Sequence, residues 1–391
     1  MALSRRDFIK YAGMVSATAM LPMGFSRAST PNPQFIPQQT LNLAPVPAYR
    51  SYAQPLKREL LKRTRMDAII DPVEGRLIGE VNLSQITKPT DTASLAKIVT
   101  YMLVQDHLAK GKTVAGTPLT LKTKLKNVTY MRTTRRGRVA HIPLRNDDLN
   151  IDDGLKFMMG LSVNQVARAL GMNVLGVTPK DVQDEINAER YFVELMNEKA
   201  RHLGLANTAF INSSGLPGRD SNHIVPETKK MANVSTIEDL SKLAVVMTRV
   251  YPDHVRYTSQ REYKISQESI IDRMKMGITD RRDPTFKSTN PLYKDEFLAQ
   301  SRLYNVSGLK TGTTNKAGRT AIITGQRDNN NLVVLTYGHP LYDQKNRFIR
   351  EADDPARAQT SLVLLEKNNQ LLNYERSKKN EHLRQLTNEI W

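Results

Sequence analysis

The 391-residue chain contains no cysteine. That excludes a disulfide framework, a thiol nucleophile and a thiolate-ligated zinc. One tryptophan and 6% aromatic residues are too few for the ring platforms on which nucleic-acid bases stack, so no nucleic-acid partner is expected. No apolar run reaches the roughly 18 residues that a membrane-spanning helix needs. Several enzyme signatures are missing too. The seven histidines form no H-E-x-x-H pair, and no G-x-S-x-G occurs. Gly111-Lys112-Thr113 imitates the end of a phosphate-binding loop, but Asp106 stands where that loop requires glycine. Neither a metal nor an organic cofactor is expected.

Acidic residues are in deficit, 39 against 57 lysines and arginines, giving a net charge of +18. Such an excess suggests anionic surroundings or substrates. With 39% hydrophobic residues and 20 glycines the chain is globular rather than disordered. The first 28 residues read as an export signal. Ser4-Arg5-Arg6-Asp7-Phe8-Ile9-Lys10 is a twin-arginine pattern, Tyr11 to Phe25 is weakly apolar, and Ser26-Arg27-Ala28 offers a small-residue cleavage site. The expectation is export by the twin-arginine translocase and a periplasmic location. Residues 29–52 are rich in proline, including Pro31, Pro33, Pro37, Pro45 and Pro47, and read as an extended linker.

A catalytic domain is expected over 53–374. Met66–Ile70 and Arg76–Val81 flank a Pro/Gly turn, as in a hairpin. Ser94 to His107 is apolar nearly all round, as in a buried helix. Asp152 to Leu170 and Glu189 to Leu205 read as helices. Lys310 to Thr314, Ala321 to Gly325 and Leu332 to Tyr337 read as strands, and Ala356 to Leu372 as a closing helix. Strands at both ends of the domain with helices between predict an α/β fold of the α+β type. One antiparallel sheet is flanked by helices, and a helical lobe is inserted over about 100–290.

From Lys110 to Arg145 there are ten basic residues and no acidic one. Leu119, Leu121, Thr123 and Leu125 alternate with lysines and predict a half-buried strand. The run reads as a solvated face or as a patch for anionic envelope polymers. The 375–391 tail reads as a plain tail or as a peripheral membrane anchor, since Leu383, Leu386, Ile390 and Trp391 share a helical face.

The chemistry points to three short motifs. Ser94-Leu95-Ala96-Lys97 places a hydroxyl and an amine at i and i+3, on one helix face. A serine is a weak nucleophile until a base takes its proton. A lysine serves as that base when burial or a neighbouring cation disfavours its charged form. Ser162-Val163-Asn164 follows between helical segments. Lys310-Thr311-Gly312 then opens a strand. Lys310 supplies a second cation, Gly312 lets a ligand lie against the backbone, and Thr311 and Thr313 supply hydroxyls for a carboxylate.

This ordered trio resembles that of the serine D-alanyl-D-alanine carboxypeptidases, the low-molecular-mass penicillin-binding proteins. Thr92–Thr100, Phe192–Ala200 with Leu203-Gly204-Leu205 and Ser214-Gly215-Leu216, and Gly308–Gly312 with Ala317-Gly318 carry the likeness. The resemblance implies the penicillin-binding/β-lactamase-like transpeptidase fold. It also implies removal of the terminal D-alanine from peptidoglycan stem pentapeptides through a Ser94 acyl-enzyme, with β-lactam antibiotics as acylating inhibitors. Lys97 is implied as base, Ser162 as proton relay, Asn164 as positioner, and Lys310, Thr311, Gly312 and Thr313 as the carboxylate-binding strand. Two departures stand out: Val163 where the family usually has glycine, and Gln165 where aspartate is common. Three rival readings follow. One is an endopeptidase of the same family acting on the D-alanyl-diaminopimelate cross-link. Another is a β-lactamase, disfavoured because Glu194 and Glu198 lack an asparagine four residues on. The third is a non-catalytic peptidoglycan-binding protein.

Overall fold

The computed structural model describes residues 56–57, 65–72, 75, 77–78, 86–125, 130–135, 138–143, 149–218, 228–264, 285–342 and 354–390. The expected signal (1–28) and linker (29–52) lie outside them, as do Lys126, Arg136, Arg145 and Trp391 and the side chains of Leu383, Leu386 and Ile390.

Five strands form one sheet: β1 (Met66–Ile70), β2 (Leu77–Ile78), β3 (Gly308–Thr314), β4 (Gly318–Arg327) and β5 (Asn330–His339). Their order is β3-β4-β5-β1-β2 and every pairing is antiparallel. The first and last parts of the domain thus share one sheet, with β5 opposite β1 from Tyr337↔Met66 to Val333↔Ile70. The β4–β5 turn places Asp328 and Asn329 at φ 51° and 63°. Asn and Asp tolerate this left-handed pair, and its twist suits a two-residue hairpin.

Between β2 and β3 lies the helical lobe: α1 (Lys97–Lys110), α2 (Ile151–Gly160), α3 (Asn164–Leu175), α4 (Val182–His202) and α5 (Ile237–Val250). The side chains of Asn150, Asp181 and Thr236 cap the N-termini of α2, α4 and α5 by accepting from the third backbone N–H onward. The strands alternate between two cores. Ala68, Ile70, Ile322, Val333 and Leu335 face the lobe and join its cluster. Ala321, Ile323, Leu332 and Val334 face the other way, against Ala358 and Leu365 of α6 (Pro355–Ile390). Asn368 of α6 donates to the Val333 carbonyl at 3.1 Å, fixing that helix on the sheet. No helix among the described residues is long and apolar enough to cross a membrane.

Three elements differ from the sequence reading. Where a strand is expected over 119–126, the described residues 119–125 form turns instead, because Thr123 Oγ1 accepts the Thr120 N–H and the Thr120 carbonyl accepts the Thr123 N–H. Leu119 and Leu125 are buried all the same, and the carbonyls of Thr123 and Leu121 accept the Ile151 and Asp152 N–H groups at the start of α2. The helix expected over 152–170 is two helices, broken where Ser162 adopts φ 62°. The closing helix runs past Leu372 through the segment set apart as a tail. The basic run contributes a hairpin, Tyr130–Arg135 with Arg138–Pro143, in which Arg135 and Arg138 stand opposite one another.

Candidate active site

The short strand Thr90–Asp91 pairs with Val234–Ser235 and delivers the chain to Ala93. Ala93 is held at φ 45°, a left-handed conformation that costs a non-glycine residue about 1–2 kcal/mol. The Asp91 carboxylate secures it, Oδ1 accepting the Ala93 N–H at 2.8 Å. Burial pushes the Tyr337 phenol up, so it stays a donor, and its hydroxyl reaches the Asp91 carbonyl at 3.0 Å. Ser94 then lies in a 3-10 turn, Ala93–Ala96, that feeds α1.

Lys97, the first residue of α1, is fully buried. Its Nζ lies 2.8 Å from Ser94 Oγ, 2.6 Å from Asn164 Oδ1 and 2.5 Å from the Ser214 carbonyl. A neutral amine has two hydrogens and one lone pair. The amide oxygen and the carbonyl can only accept, so they take the two hydrogens. The lone pair is left facing the Ser94 hydroxyl, which then becomes the donor in that contact.

The Ser214 carbonyl is fixed by a network of buried groups. Asn212 Oδ1 accepts from Ser214 N at 3.2 Å and from Gly215 N at 2.8 Å. Glu189 Oε1 accepts from the backbone N and the hydroxyl of Ser213 at 2.7 and 2.8 Å. The Thr100 hydroxyl of α1 donates to the Ser213 carbonyl at 2.7 Å. Gly215, at φ 81°, presses so closely on the turn that a Cβ there would sit 1.8 Å from the Ala93 oxygen.

The turn between α2 and α3 presents Ser162 and Asn164. Asn164 reaches Lys97, and Ser162 Oγ accepts from Lys310 Nζ at 2.9 Å, so this turn ties the two lysines together. Val163, the departure noted above, turns its side chain into the lobe core. On edge strand β3, Lys310 is buried and also donates to the Thr311 carbonyl at 2.7 Å. The Thr311 hydroxyl donates to Thr289 Oγ1 at 2.7 Å, and Thr289 is anchored by its N–H to the Gly160 carbonyl. Among the described residues, the Thr313 hydroxyl has no hydrogen-bond partner. Gly312 crosses directly over Ser94: a Cβ at 312 would lie 3.0 Å from Ala93 Cβ and 3.1 Å from Ser94 N.

All eight residues singled out from the sequence therefore surround one cleft between β3 and the lobe. Sequence reasoning missed Asp91, Glu189, Asn212 and Thr289. The signal available for Asp91 was a single acid in a run of small and hydroxyl residues, Pro89 to Ala96. Among the described residues, no group of three His, Asp or Glu side chains converges to hold a metal.

The sequence profile of the D-alanyl-D-alanine carboxypeptidase family matches residues 62–340. The chain belongs to this family. It is 22% identical over 313 residues to the D-alanyl-D-alanine carboxypeptidase DacF of Bacillus subtilis, covering 80% of this chain and 67% of that one. It is 26% identical over 283 residues to a D-alanyl-D-alanine endopeptidase of Pseudomonas aeruginosa, covering 72% and 73%. Among solved structures it resembles penicillin-binding protein D2 of Listeria monocytogenes in its ampicillin-bound form. The TM-score is 0.53 at 20% identity, over 78% of this chain and 97% of that one. The α+β transpeptidase fold expected from the motifs is the fold observed.

Proposed function

We propose that the chain is a serine D-alanyl-D-alanine carboxypeptidase that trims peptidoglycan stem peptides, with Ser94 as its nucleophile. The observation that carries this reading is the placement of Lys97 Nζ between Asn164 Oδ1, the Ser214 carbonyl and Ser94 Oγ. Ser94 Oγ attacks the carbonyl carbon of the penultimate D-alanine while its proton passes to Lys97 Nζ. The backbone N–H groups of Ser94 and Thr313 stabilise the oxyanion, each such donor contributing about 3–4 kcal/mol. The C–N bond then breaks as the proton returns through the Ser162 hydroxyl to the leaving amine. Lys310 and the hydroxyls of Thr311 and Thr313 hold the terminal carboxylate. Water, deprotonated by Lys97, cleaves the ester and frees Ser94. A penicillin would follow the first half of this path and remain attached to Ser94.

The reading extends to place and partners. The Arg5-Arg6 pattern, the weakly apolar Tyr11–Phe25 stretch and the Ala28 cleavage site support export by the twin-arginine translocase to the periplasm. Contact with anionic envelope polymers is favoured by the ten cations of the 110–145 run.

The test is incubation of the mature protein with purified muropeptides, both pentapeptide monomers and cross-linked dimers, with products weighed by mass spectrometry. Loss of one D-alanine from the pentapeptide, abolished in Ser94→Ala, is the expected result. Unchanged monomers and dimers would move the assignment to a wall-binding protein.

A further inference from the structure

Beside the Ser94 turn runs a short extended segment, Met231 to Ser235. It is clamped on both sides. Val234 exchanges backbone bonds with Ala209 at 2.8 and 2.9 Å, and Val234–Ser235 pairs with Thr90–Asp91. Ala232 and Val234 share a small apolar cluster with Ala209. Side chains alternate along an extended chain, so Asn233, between those two, belongs to the other face. It is fully buried.

A buried amide costs free energy unless its polar atoms are partnered, and this one uses every position it has. Asn233 Oδ1 accepts the Ile211 N–H at 2.9 Å and the Asn212 N–H at 3.3 Å. Its Nδ2 donates to Asn212 Oδ1 at 3.3 Å and to the Leu216 carbonyl at 3.2 Å. The orientation of the amide is forced, because the two backbone N–H groups can only donate and the Leu216 carbonyl can only accept. All four bonds go to one loop, 211–216, whose Ser214 carbonyl holds Lys97. The backbone of the same residue serves the other partner: the Asn233 carbonyl accepts the Thr92 N–H at 3.0 Å, two residues before Ser94.

We infer that Asn233 is a positioning residue for acylation, setting the Ser214 carbonyl at the distance from the Ser94 turn at which the Lys97 lone pair meets the Ser94 hydroxyl. The inference rests on the reading above of Ser94 as nucleophile and Lys97 as base. Lys97 Nζ touches the Ser214 carbonyl at 2.5 Å and Ser94 Oγ at 2.8 Å, and these two atoms belong to separate segments that Asn233 joins. A shift of the carbonyl takes one acceptor from the amine and turns its lone pair off the hydroxyl. The side chain is specific to the task. Aspartate has the length but no donors, serine has one donor on a shorter stem, and glutamine is a methylene too long.

The experiment follows a fluorescent penicillin reacting with the mature wild-type chain, Asn233→Asp, Asn233→Ser and Asn368→Ala. Asn368 is a second fully buried asparagine, on α6, and controls for loss of stability alone. Stopped-flow traces separate the noncovalent binding constant, the acylation rate constant and the fraction of chains acylated at the end. In Asn233→Asp the acylation rate constant should fall about 10- to 100-fold, the scale of a misplaced reacting group, with noncovalent binding unchanged. Asn233→Ser should fall between Asn233→Asp and the wild type. Asn368→Ala should lose melting temperature and acylated fraction but keep the wild-type rate constant. Asn233 variants that behave as Asn368→Ala does, or that both fail to fold, would reduce the residue to a structural one and overturn the inference, leaving the Ser94 reading in place. A wild type inert to penicillin would remove that reading first, and the inference with it.

Discussion

Asp91 and Thr314 are 223 residues apart in the chain and joined by a buried 2.8 Å hydrogen bond, the Thr314 hydroxyl donating to Asp91 Oδ2. The other carboxylate oxygen holds the Ala93 N–H. One side chain thus spans the two walls of the cleft: the turn that carries Ser94 and the strand that carries Thr313. The separation of the two proposed oxyanion donors depends on this bridge.

Cutting one arm of that bridge gives the first prediction. Thr314→Val removes the hydroxyl and keeps the volume. A hydrogen bond to a charged group contributes about 1.5–3 kcal/mol, so a stability loss of that order is expected in urea denaturation. Acylation of Ser94 should slow by more than the stability loss accounts for, read as a fall in the acylation rate constant on fully folded protein. Thr314→Ser, which restores the donor, should recover most of it.

Gly312 sets the clearance over Ser94. Gly312→Ala would put a methyl group 3.0 Å from both Ala93 Cβ and Thr320 Cγ2. The strand or the Ser94 turn must shift by a few tenths of an ångström. Small displacements of reacting groups cost up to about 10²-fold in rate. Stopped-flow measurement with a chromogenic cephalosporin should show acylation slowed by about 10- to 100-fold, with a small change in melting temperature.

Glu189 controls the Lys97 environment through the 213–214 backbone. Glu189→Ala leaves the buried Ser213 N–H and hydroxyl without an acceptor, at about 1–3 kcal/mol for each group. A stability loss of that order and reduced kcat are expected. Glu189→Gln keeps an acceptor oxygen and should be milder in both measurements. Equal effects from the two variants would contradict the assigned role.

The motifs were legible because each depends on local spacing. Ser94 and Lys97 meet because they are three residues apart on a helical turn, and β3 to β5 are marked by β-branched runs. The long-range ties were not legible: the Ser214 carbonyl that completes the Lys97 cage lies 117 residues beyond it, and nothing local distinguishes it from other loop carbonyls. The 119–126 alternation misled because Leu119 and Leu125 are buried by packing against the lobe while Thr120 and Thr123 close a turn. The break at Ser162 is announced only by Gly160, the last residue of α2, and a single glycine inside a helical pattern is a weak stop signal.

Acid sensitivity should come in part from His254. It is buried, its Nδ1–H donates to the Tyr251 carbonyl at 2.8 Å, and Nε2 has no partner among the described residues. Burial holds its pKa below the usual 6.5. The unfolded chain therefore binds the proton more readily than the folded one. Stability is fully present above about pH 6.5 and declines as pH falls from there toward the folded-state pKa. Urea midpoints measured between pH 7.5 and 5 should drop on the acid side, and His254→Gln should flatten that slope.

The central claim is that Ser94 is a nucleophile made reactive by Lys97. Intact-mass spectrometry of the mature chain after exposure to ampicillin, followed by peptide mapping, tests it most directly. The account predicts one covalent adduct per chain, on the peptide containing Ser94, absent in Ser94→Ala and formed far more slowly in Lys97→Ala. A wild-type chain that acquires no adduct, or an adduct that persists in Ser94→Ala, would contradict it.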